Sequence, residues 1–278
     1  MQANFLKMHG AGNDFVVFDD RPTPLGLTPT KAAAIANRRT GIGCDQFSTI
    51  EPPPPGSPAT AFMRIRNPDG SEAGACGNAT RCVVALLAAE TGQTEITIQT
   101  ISGLLPARLL PDGRVTVDMG PARLDWTDIP LAAEMDTLHL PLALGPVADP
   151  AACSMGNPHA TFFVPNVMAL DVETLGPALE TNPLFPLKAN IGFAEIQSPT
   201  RIRLRVWERA AGLTLACGSG ACATIVNAAR RGLTTRRATI QADGGLLDME
   251  WRDDNHVLRT GPIATSLTGT IDLSAYPL

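Results

Sequence analysis

Several features that mark broad protein classes are missing from this sequence of 278 residues. It has no basic excess, since 22 Lys and Arg against 27 Asp and Glu give a net charge of −5, which argues against binding to nucleic-acid phosphates. It has no apolar run near the roughly 18 residues that a membrane helix requires. Its first residues lack the basic-then-apolar order of a signal peptide, so we expect a cytoplasmic protein. Six cysteines are too few for a disulfide scaffold, and we expect free thiols.

The composition is that of a folded protein with a sizeable core. Hydrophobic residues make up 44% of the chain and charged residues 18%, whereas disordered chains combine low hydropathy with high charge. At about 150 residues per domain, the length predicts two domains.

Capping and apolar patterns predict the main elements. Thr28 followed by proline predicts the start of a helix over 28–39. The segment 79–90 is apolar almost throughout and ends at Gly92, which indicates a helix surrounded by protein. The segment 121–150 contains several prolines and is predicted to be mostly a connection, with a strand over 136–140.

An internal repeat is visible across the whole chain, and such repeats take precedence over local patterns. Six ordered matches share an offset of 141 to 144 residues: Gly12-Asn13 with Gly156-Asn157, Gln46 with Asn190, Asn67 with Glu208, Ala75-Cys76-Gly77 with Ala216-Cys217-Gly218, Ile98-Gln99 with Ile240-Gln241, and Gly120-Pro121 with Gly261-Pro262. The repeat predicts two copies of one domain, an N-terminal one over 1–119 plus 265–278 and a C-terminal one over 120–264.

Each half has one Ala-Cys-Gly turn that opens a predicted helix, with Cys76 in the first half and Cys217 in the second. The start of a helix offers unpaired N–H groups and about half a positive charge. These groups can bind a carboxylate, and they lower the pKa of a thiol placed there. We therefore expect depressed thiol pKa values at both turns.

Two such turns facing one cleft would offer two thiols to opposite faces of one small carbon acid. That arrangement suits the removal of a proton from one face of a carbon and its return to the other face. The duplication therefore favours racemisation or epimerisation, with the helix starts stabilising the developing negative charge.

Other interpretations of the cysteines remain open at this point. Cys76 and Cys217 are also compatible with a thiol–disulfide redox protein, and the bilobal repeat with a non-catalytic amino-acid binding protein. Cys82 and Cys222 lie inside the two helices and are predicted to be packing thiols. The spacings C-x5-C and C-x4-C are not those of a zinc site, so no metal is expected.

At this point the motifs resemble those of the diaminopimelate epimerase family along nearly the whole chain. The matching stretches are MHGAGNDFVVFD (8–19), RRTGIGCDQ (38–46), RNPDGSEAGACGNATRC (66–82), MGNPHATFFV (155–164) and WERAAGLTLACGSGAC (207–222). The resemblance implies two similar α/β domains, each a β-sheet wrapped around a central α-helix, with the active site in the cleft between them. It also implies a cofactor-independent isomerase that interconverts LL- and meso-diaminopimelate in lysine biosynthesis. The runner-up is a related pyridoxal-independent racemase acting on proline, hydroxyproline or histidine.

The resemblance also implies roles for individual residues. Cys76 and Cys217 would be the acid/base pair, and His159 and Glu208 would lie near the thiols and tune them. The substrate-binding set would be Asn13, Gln46, Asn67, Gly77, Asn78, Asn157, Asn190, Glu208, Arg209, Gly218 and Ser219. Arg209 suits a distal carboxylate because its guanidinium forks onto two oxygens. The partner is a small molecule, with neither nucleic acid nor membrane expected, and a homodimer is left open.

The sequence departs from the family pattern at a few positions. Ala210 and Leu213 stand where the family has glycine and glutamate, and Ala79 stands where it has glycine. We expect Ala210 to cost backbone freedom if its turn requires a positive φ. Leu267 stands near where the family often has an aromatic residue at its dimer contact.

Overall fold

The computed structural model describes residues 1–10 and 12–276. Ala11, inside the motif 8–19, and Pro277 and Leu278, at the end of the predicted N-terminal domain, lie outside the described residues. The described residues form nineteen strands: β1 Gln2–Gly10, β2 Asn13–Asp19, β3 Gln46–Glu51, β4 Ala61–Arg66, β5 Glu72–Ala73, β6 Glu95–Thr100, β7 Gly103–Leu109, β8 Val115–Pro121, β9 Ala143–Leu144, β10 Val147–Ala148, β11 Ala151–Ser154, β12 Pro158–Phe163, β13 Asn190–Ser198, β14 Arg201–Glu208, β15 Gly212–Thr214, β16 Arg237–Ala242, β17 Gly245–Trp251, β18 His256–Gly261 and β19 Ala264–Asp272. The helices in this part of the chain are α1 Pro29–Ala36, α2 Gly77–Thr91, α3 Val172–Glu180 and α4 Gly218–Arg230, with 3₁₀ turns at Val167–Ala169 and Leu273–Ala275.

The chain divides into two compact units, Met1–Val117 with Gly261–Leu278 and Asp118–Thr260. In the first unit β1 pairs antiparallel with β19 and β2, and β2 runs parallel to β3. β4 pairs antiparallel with β3 and β5 and parallel with β6, and β6, β7 and β8 form an antiparallel meander.

The second unit repeats this order of pairings. β12 runs parallel to β13, and β14 pairs antiparallel with β13 and β15 and parallel with β16. β16, β17 and β18 again form an antiparallel meander. The mixed α/β fold class predicted from the sequence is confirmed.

One helix in each unit is enclosed by strands of its own unit. α2 contacts β1, β2, β3, β6 and β7, and α4 contacts β11, β12, β13, β16 and β17. Cys82 and Cys222 on these helices are fully buried, as predicted for packing thiols. The buried amide of Asn227 on α4 donates to the Ala151 carbonyl and to Thr161 Oγ1, both at 3.1 Å, which satisfies a polar group inside an apolar core.

Two predictions about the elements are wrong. The first helix ends at Ala36 rather than at residue 39, because Asn37 is extended and its Oδ1 accepts the N–H groups of Arg39 and Thr40. Residues 136–140 form no strand, since Asp136 Oδ1 accepts the N–H of Leu138 at 2.8 Å and closes a turn. The predicted cap residues Thr28 and Gly92 are confirmed. Within the described ranges, no helix is both long and apolar enough to cross a membrane.

Candidate active site

The predicted site residues fall into two groups, one in each unit. Asn13, Gln46, Asn67, Cys76, Gly77 and Asn78 lie in the first unit, and Asn157, His159, Asn190, Glu208, Arg209, Cys217, Gly218 and Ser219 lie in the second.

Cys76 is the N-cap residue of α2. Its backbone is extended, with φ −144°, and its Sγ accepts the N–H of Ala79 at 3.5 Å. Gly77 and Asn78 are the first two helical residues, and both are buried. The cysteine therefore takes the position that serine or aspartate commonly fills at a helix start, with its sulfur close to the first N–H groups of the helix.

The side chain of Asn13 faces this cap. Its Oδ1 accepts from Asn78 Nδ2 at 3.3 Å and lies 3.9 Å from the thiol of Cys76. Its Nδ2 donates to Asp45 Oδ2 at 2.9 Å. Arg38 in turn donates to Asp45 Oδ1 at 2.7 Å, so a charged network behind Asn13 fixes the amide that faces the sulfur.

Asp14 completes that network. Burial acts to raise its pKa, but the hydrogen bonds from Arg38 and Lys7 outweigh burial and hold the pKa well below its usual range. Its carboxylate also accepts the N–H of Asp45 at 2.8 Å. Asp14 is thus an anion at neutral pH that ties the start of β2 to Asp45.

Gln46 and Asn67 form a second polar pair in the first unit. Gln46 Nε2 lies 3.5 Å from Asn67 Oδ1, and Asn67 Nδ2 donates to Ser71 Oγ at 3.1 Å. Among residues 1–10 and 12–276, no donor reaches the buried Oε1 of Gln46. A buried acceptor of this kind is suited to an ammonium or amide donor of a ligand.

Cys217 repeats the cap geometry at the start of α4. Its Sγ accepts the N–H of Gly220 at 3.3 Å and lies 3.7 Å from Ser219 Oγ. The residue is buried, with 5% of its surface exposed. Both predicted cysteine turns are therefore helix N-caps with the sulfur directed at the third residue of the helix.

The expected fall in pKa is wrong for Cys217. Burial first, and then the adjacent carboxylate of Glu208, raise its pKa well above the ordinary value. The N–H of Gly220 and the hydroxyl of Ser219 act in the opposite direction and are outweighed. Desolvation and a like charge both penalise the thiolate, so Cys217 is a thiol at neutral pH.

Glu208, at the end of β14, is held by a residue that the sequence analysis missed. Thr214 Oγ1 donates to Glu208 Oε1 at 2.5 Å. The antiparallel pairing of β14 with β15 brings Thr214 back beside Glu208. Thr214 was missed because β15 has only three residues, and the sequence shows no distinct strand pattern there.

His159 is linked to Cys217 through the side chains of Asn157 and Ser219. Its Nε2 lies 3.1 Å from Asn157 Oδ1, and Asn157 Nδ2 donates to Ser219 Oγ at 3.3 Å. Burial, with a smaller effect of Arg209, lowers the pKa of His159 to about 3. The imidazole is therefore neutral, and its Nε2–H donates to Asn157.

Asn190, the first residue of β13, contacts Arg209, which directly follows β14. Asn190 Nδ2 donates to the Pro158 carbonyl at 3.0 Å, and its Oδ1 accepts the backbone N–H of Arg209 at 2.9 Å. The Arg209 side chain donates from Nη1 to the Leu187 carbonyl at 3.0 Å. The structure thus places Asn190 as a support for Arg209, and its direct contact with a ligand stays a prediction.

Gly218 is required by a neighbour within its own unit. A Cβ built on Gly218 would lie 1.6 Å from Nη1 of the buried Arg259. A larger residue at the first position of α4 would displace this guanidinium, because the interior has no room to absorb it. In the described part of the chain, no group of three or more His, Cys, Asp or Glu residues could hold a metal ion.

Comparison with known proteins gives consistent results. The family model for diaminopimelate epimerase matches residues 5–124 and 151–265. A diaminopimelate epimerase of Acidiphilium cryptum is 64% identical over 96% of both chains, and one of Rhodospirillum centenum is 59% identical over 100% of this chain and 95% of its own. A solved hydroxyproline epimerase from Agrobacterium vitis shares the fold, with a TM-score of 0.68, 15% identity, and coverage of 97% of this chain and 92% of its own.

Proposed function

Since the chain belongs to the diaminopimelate epimerase family, we propose that it interconverts LL- and meso-2,6-diaminopimelate without a cofactor. In this reaction one thiolate takes the α-proton, and the C–H electron pair moves toward the adjacent carboxylate. A thiol then returns a proton to the opposite face of the same carbon. We assign these two roles to Cys76 and Cys217, and place the reaction in cytoplasmic lysine biosynthesis.

The raised pKa of Cys217 supports a division of the roles at rest. Burial and the carboxylate of Glu208 keep Cys217 protonated, so we assign it as the proton donor of the resting enzyme. Cys76 is then the base for the substrate that arrives in that state. After one turnover the protonation states are exchanged, and the enzyme accepts the other stereoisomer.

The helix starts suit the carboxylate of the reacting carbon. The N–H groups at the beginning of α2 and α4 lie next to the two sulfurs. Such groups attract an anion and stabilise charge that develops during proton removal. We assign Gly77, Asn78, Gly218 and Ser219 to this carboxylate.

The remaining polar residues suit a substrate with a second zwitterionic end. Arg209 supplies a guanidinium for the distal carboxylate. The side chains of Asn13, Gln46, Asn67, Asn157, Asn190 and Glu208 supply acceptors and donors, among them the buried Oε1 of Gln46. A proline-type substrate has no second ammonium or carboxylate to satisfy such a set.

One observation carries the proposal: two cysteines at matching positions of a duplicated fold, each an N-cap whose sulfur accepts the N–H of the third helical residue. The direct test is incubation of meso-diaminopimelate with the enzyme in heavy water. We expect deuterium at the α-carbon and formation of the LL isomer, measured by mass spectrometry and chiral chromatography.

The same assay on a panel of amino acids tests the runner-up. Exchange of the α-proton of proline, hydroxyproline or histidine, with none in diaminopimelate, would favour a related racemase. Binding of diaminopimelate without any exchange would favour a non-catalytic binding protein. A redox protein would require a disulfide for activity, whereas the epimerase requires both thiols reduced.

A further inference from the structure

Glu180, the last residue of α3, is buried and contacts the end of β14, where Glu208 and Arg209 lie. Its Oε2 accepts from the indole Nε1 of Trp207 at 2.8 Å, and its Oε1 accepts the backbone N–H of Ala210 at 3.3 Å. Lys188 Nζ lies 3.7 Å from the same Oε1. Buried carboxylates are costly unless they are paired and hydrogen-bonded, and Glu180 has three partners of this kind.

The partners of Glu180 flank the Glu208–Arg209 pair in the sequence. Trp207 precedes the pair and Ala210 follows it, so one carboxylate binds both ends of the segment 207–210, where β14 ends and the turn to β15 begins. The packing of Trp207 is equally tight, since a Cβ on Gly176 of α3 would lie 2.4 Å from the indole ring. Residues 207–210 are therefore packed against and hydrogen-bonded to α3.

Glu180 also holds the segment on which Arg209 rests. Arg209 donates from its side chain to the Leu187 carbonyl and from its backbone to Asn190 Oδ1. Between those two residues, Lys188 faces the Glu180 carboxylate and Ala189 N–H donates to the Glu180 carbonyl at 3.2 Å. Glu180 thus contacts both Ala210, which follows Arg209 in the chain, and the segment 187–190, which accepts the hydrogen bonds of Arg209.

We propose that Glu180 is a positioning residue for Arg209 and so sets the affinity for the substrate's distal carboxylate. The proposal rests on the proposed function, because that function assigns the distal carboxylate to Arg209. Glu180 takes no part in proton transfer.

The neighbouring Glu208 has its own anchor, which separates the two effects. Thr214 Oγ1 and the pairing of Glu208 with Gly212 hold Glu208 from the β15 side. Loss of Glu180 is therefore expected to displace Arg209 more than Glu208. In kinetic terms it should raise KM with little change in kcat, which is the pattern of lost uniform binding.

The test compares Glu180→Gln with Glu173→Gln, an exposed carboxylate on the same helix. A glutamine turns an NH₂ group toward the indole or the Ala210 N–H, so one acceptor and the charge are lost. We expect KM for diaminopimelate to rise about tenfold in Glu180→Gln, with kcat within threefold. Glu173→Gln should match the wild type. Amide hydrogen exchange of the peptide 208–214 should be faster in Glu180→Gln alone.

A milder variant covers the case in which Glu180→Gln does not fold. Trp207→Phe removes the bond to Oε2 together with part of the indole packing, and it leaves the Ala210 and Lys188 contacts of Glu180 in place. It should raise KM about threefold, with faster exchange of the same peptide. An unchanged KM and unchanged exchange in a folded variant overturn the proposal while the wild type still turns over diaminopimelate. If the wild type shows no turnover, the proposed function fails instead. The exchange measurement then decides the anchoring on its own, since faster exchange in the variant supports it and unchanged exchange refutes it.

Discussion

Asp45 determines which atom of Asn13 faces the thiol of Cys76. A carboxylate accepts hydrogen bonds and donates none, so the Asn13 atom 2.9 Å from Asp45 Oδ2 is its nitrogen. Asn13 Oδ1 is then the atom that meets Cys76 Sγ and Asn78 Nδ2. The first unit thereby places an amide acceptor beside its sulfur, whereas the second places the carboxylate of Glu208 beside Cys217.

Replacing Asp45 with asparagine should disturb this orientation. Asparagine puts an NH₂ group where one of the donors Asn13, Asp14 or Arg38 now points, so Asn13 loses its fixed rotamer or Arg38 loses its partner. We expect kcat to fall about tenfold. The control is Asp112→Asn, an exposed carboxylate in a turn of the same unit. Equal kcat in both variants would show that Asp45 does not orient the site.

Serine in place of either cap cysteine should abolish epimerisation while preserving the helix start. Serine keeps a side-chain acceptor for the N–H of Ala79 or Gly220 but lacks an acidic thiol. We expect Cys76→Ser and Cys217→Ser each to lower kcat by about 10²- to 10⁴-fold. Cys222→Ala, which removes a buried packing thiol of α4, should lower thermal stability instead and leave kcat nearly unchanged. Turnover near the wild-type rate in either serine variant rejects the two-thiol mechanism.

Thr214 should affect turnover more than substrate affinity. Thr214→Val removes the donor that holds Glu208 Oε1, while Thr214→Ser retains it. With its carboxylate free to rotate, Glu208 no longer holds a fixed position beside Cys217. We expect kcat to fall about tenfold in the valine variant, KM to change less, and serine to restore most of the rate. A valine variant with wild-type kcat would remove Thr214 from the mechanism.

Much of the fold follows from short-range chemistry in the sequence. The buried helix α2, its closing residue Gly92 and the cap Thr28 were predictable, because an apolar run and capping residues act over a few positions. The end of α1 and the turn at Asp136 were not predictable. There the side chains of Asn37 and Asp136 accept backbone N–H groups that a helix or a strand would otherwise use.

The site was less predictable than the fold. The two cysteine turns were visible as repeated motifs, but the helix start was expected to control the pKa of Cys217, and burial beside Glu208 outweighs it. Glu180 lies 28 residues before Glu208 in the sequence, and only the packing of α3 against β14 and β15 brings the two regions together. Long-range contacts of this type leave no local pattern.

The pH dependence of Cys217 should respond to the charge on Glu208. Glu208 is one of the groups that raise the pKa of this thiol, so removing its charge in Glu208→Gln lowers that pKa. Alkylation by iodoacetamide follows the thiolate fraction. We expect the wild-type midpoint to lie above pH 9 and that of Glu208→Gln to lie at a lower pH, measured by mass mapping of the Cys217 peptide. Identical midpoints would mean that burial alone sets the pKa.

Ala210 adopts the conformation for which its position favours glycine. Its φ is +62°, in the left-handed region, and its N–H is held there by Glu180. A Cβ in that region costs about 1–2 kcal/mol, and glycine removes this cost. Glycine also gives the unfolded chain more freedom, which lowers stability, so only part of the cost is recovered. We therefore expect Ala210→Gly to raise the free energy of unfolding by about 0.5–1 kcal/mol and the melting temperature by roughly 1–4 °C, measured by calorimetry. Ala211→Gly is the matched control, since Ala211 is not among the residues of positive φ, and it should lower stability instead. A fall in stability in both variants would show that the turn is not strained at Ala210.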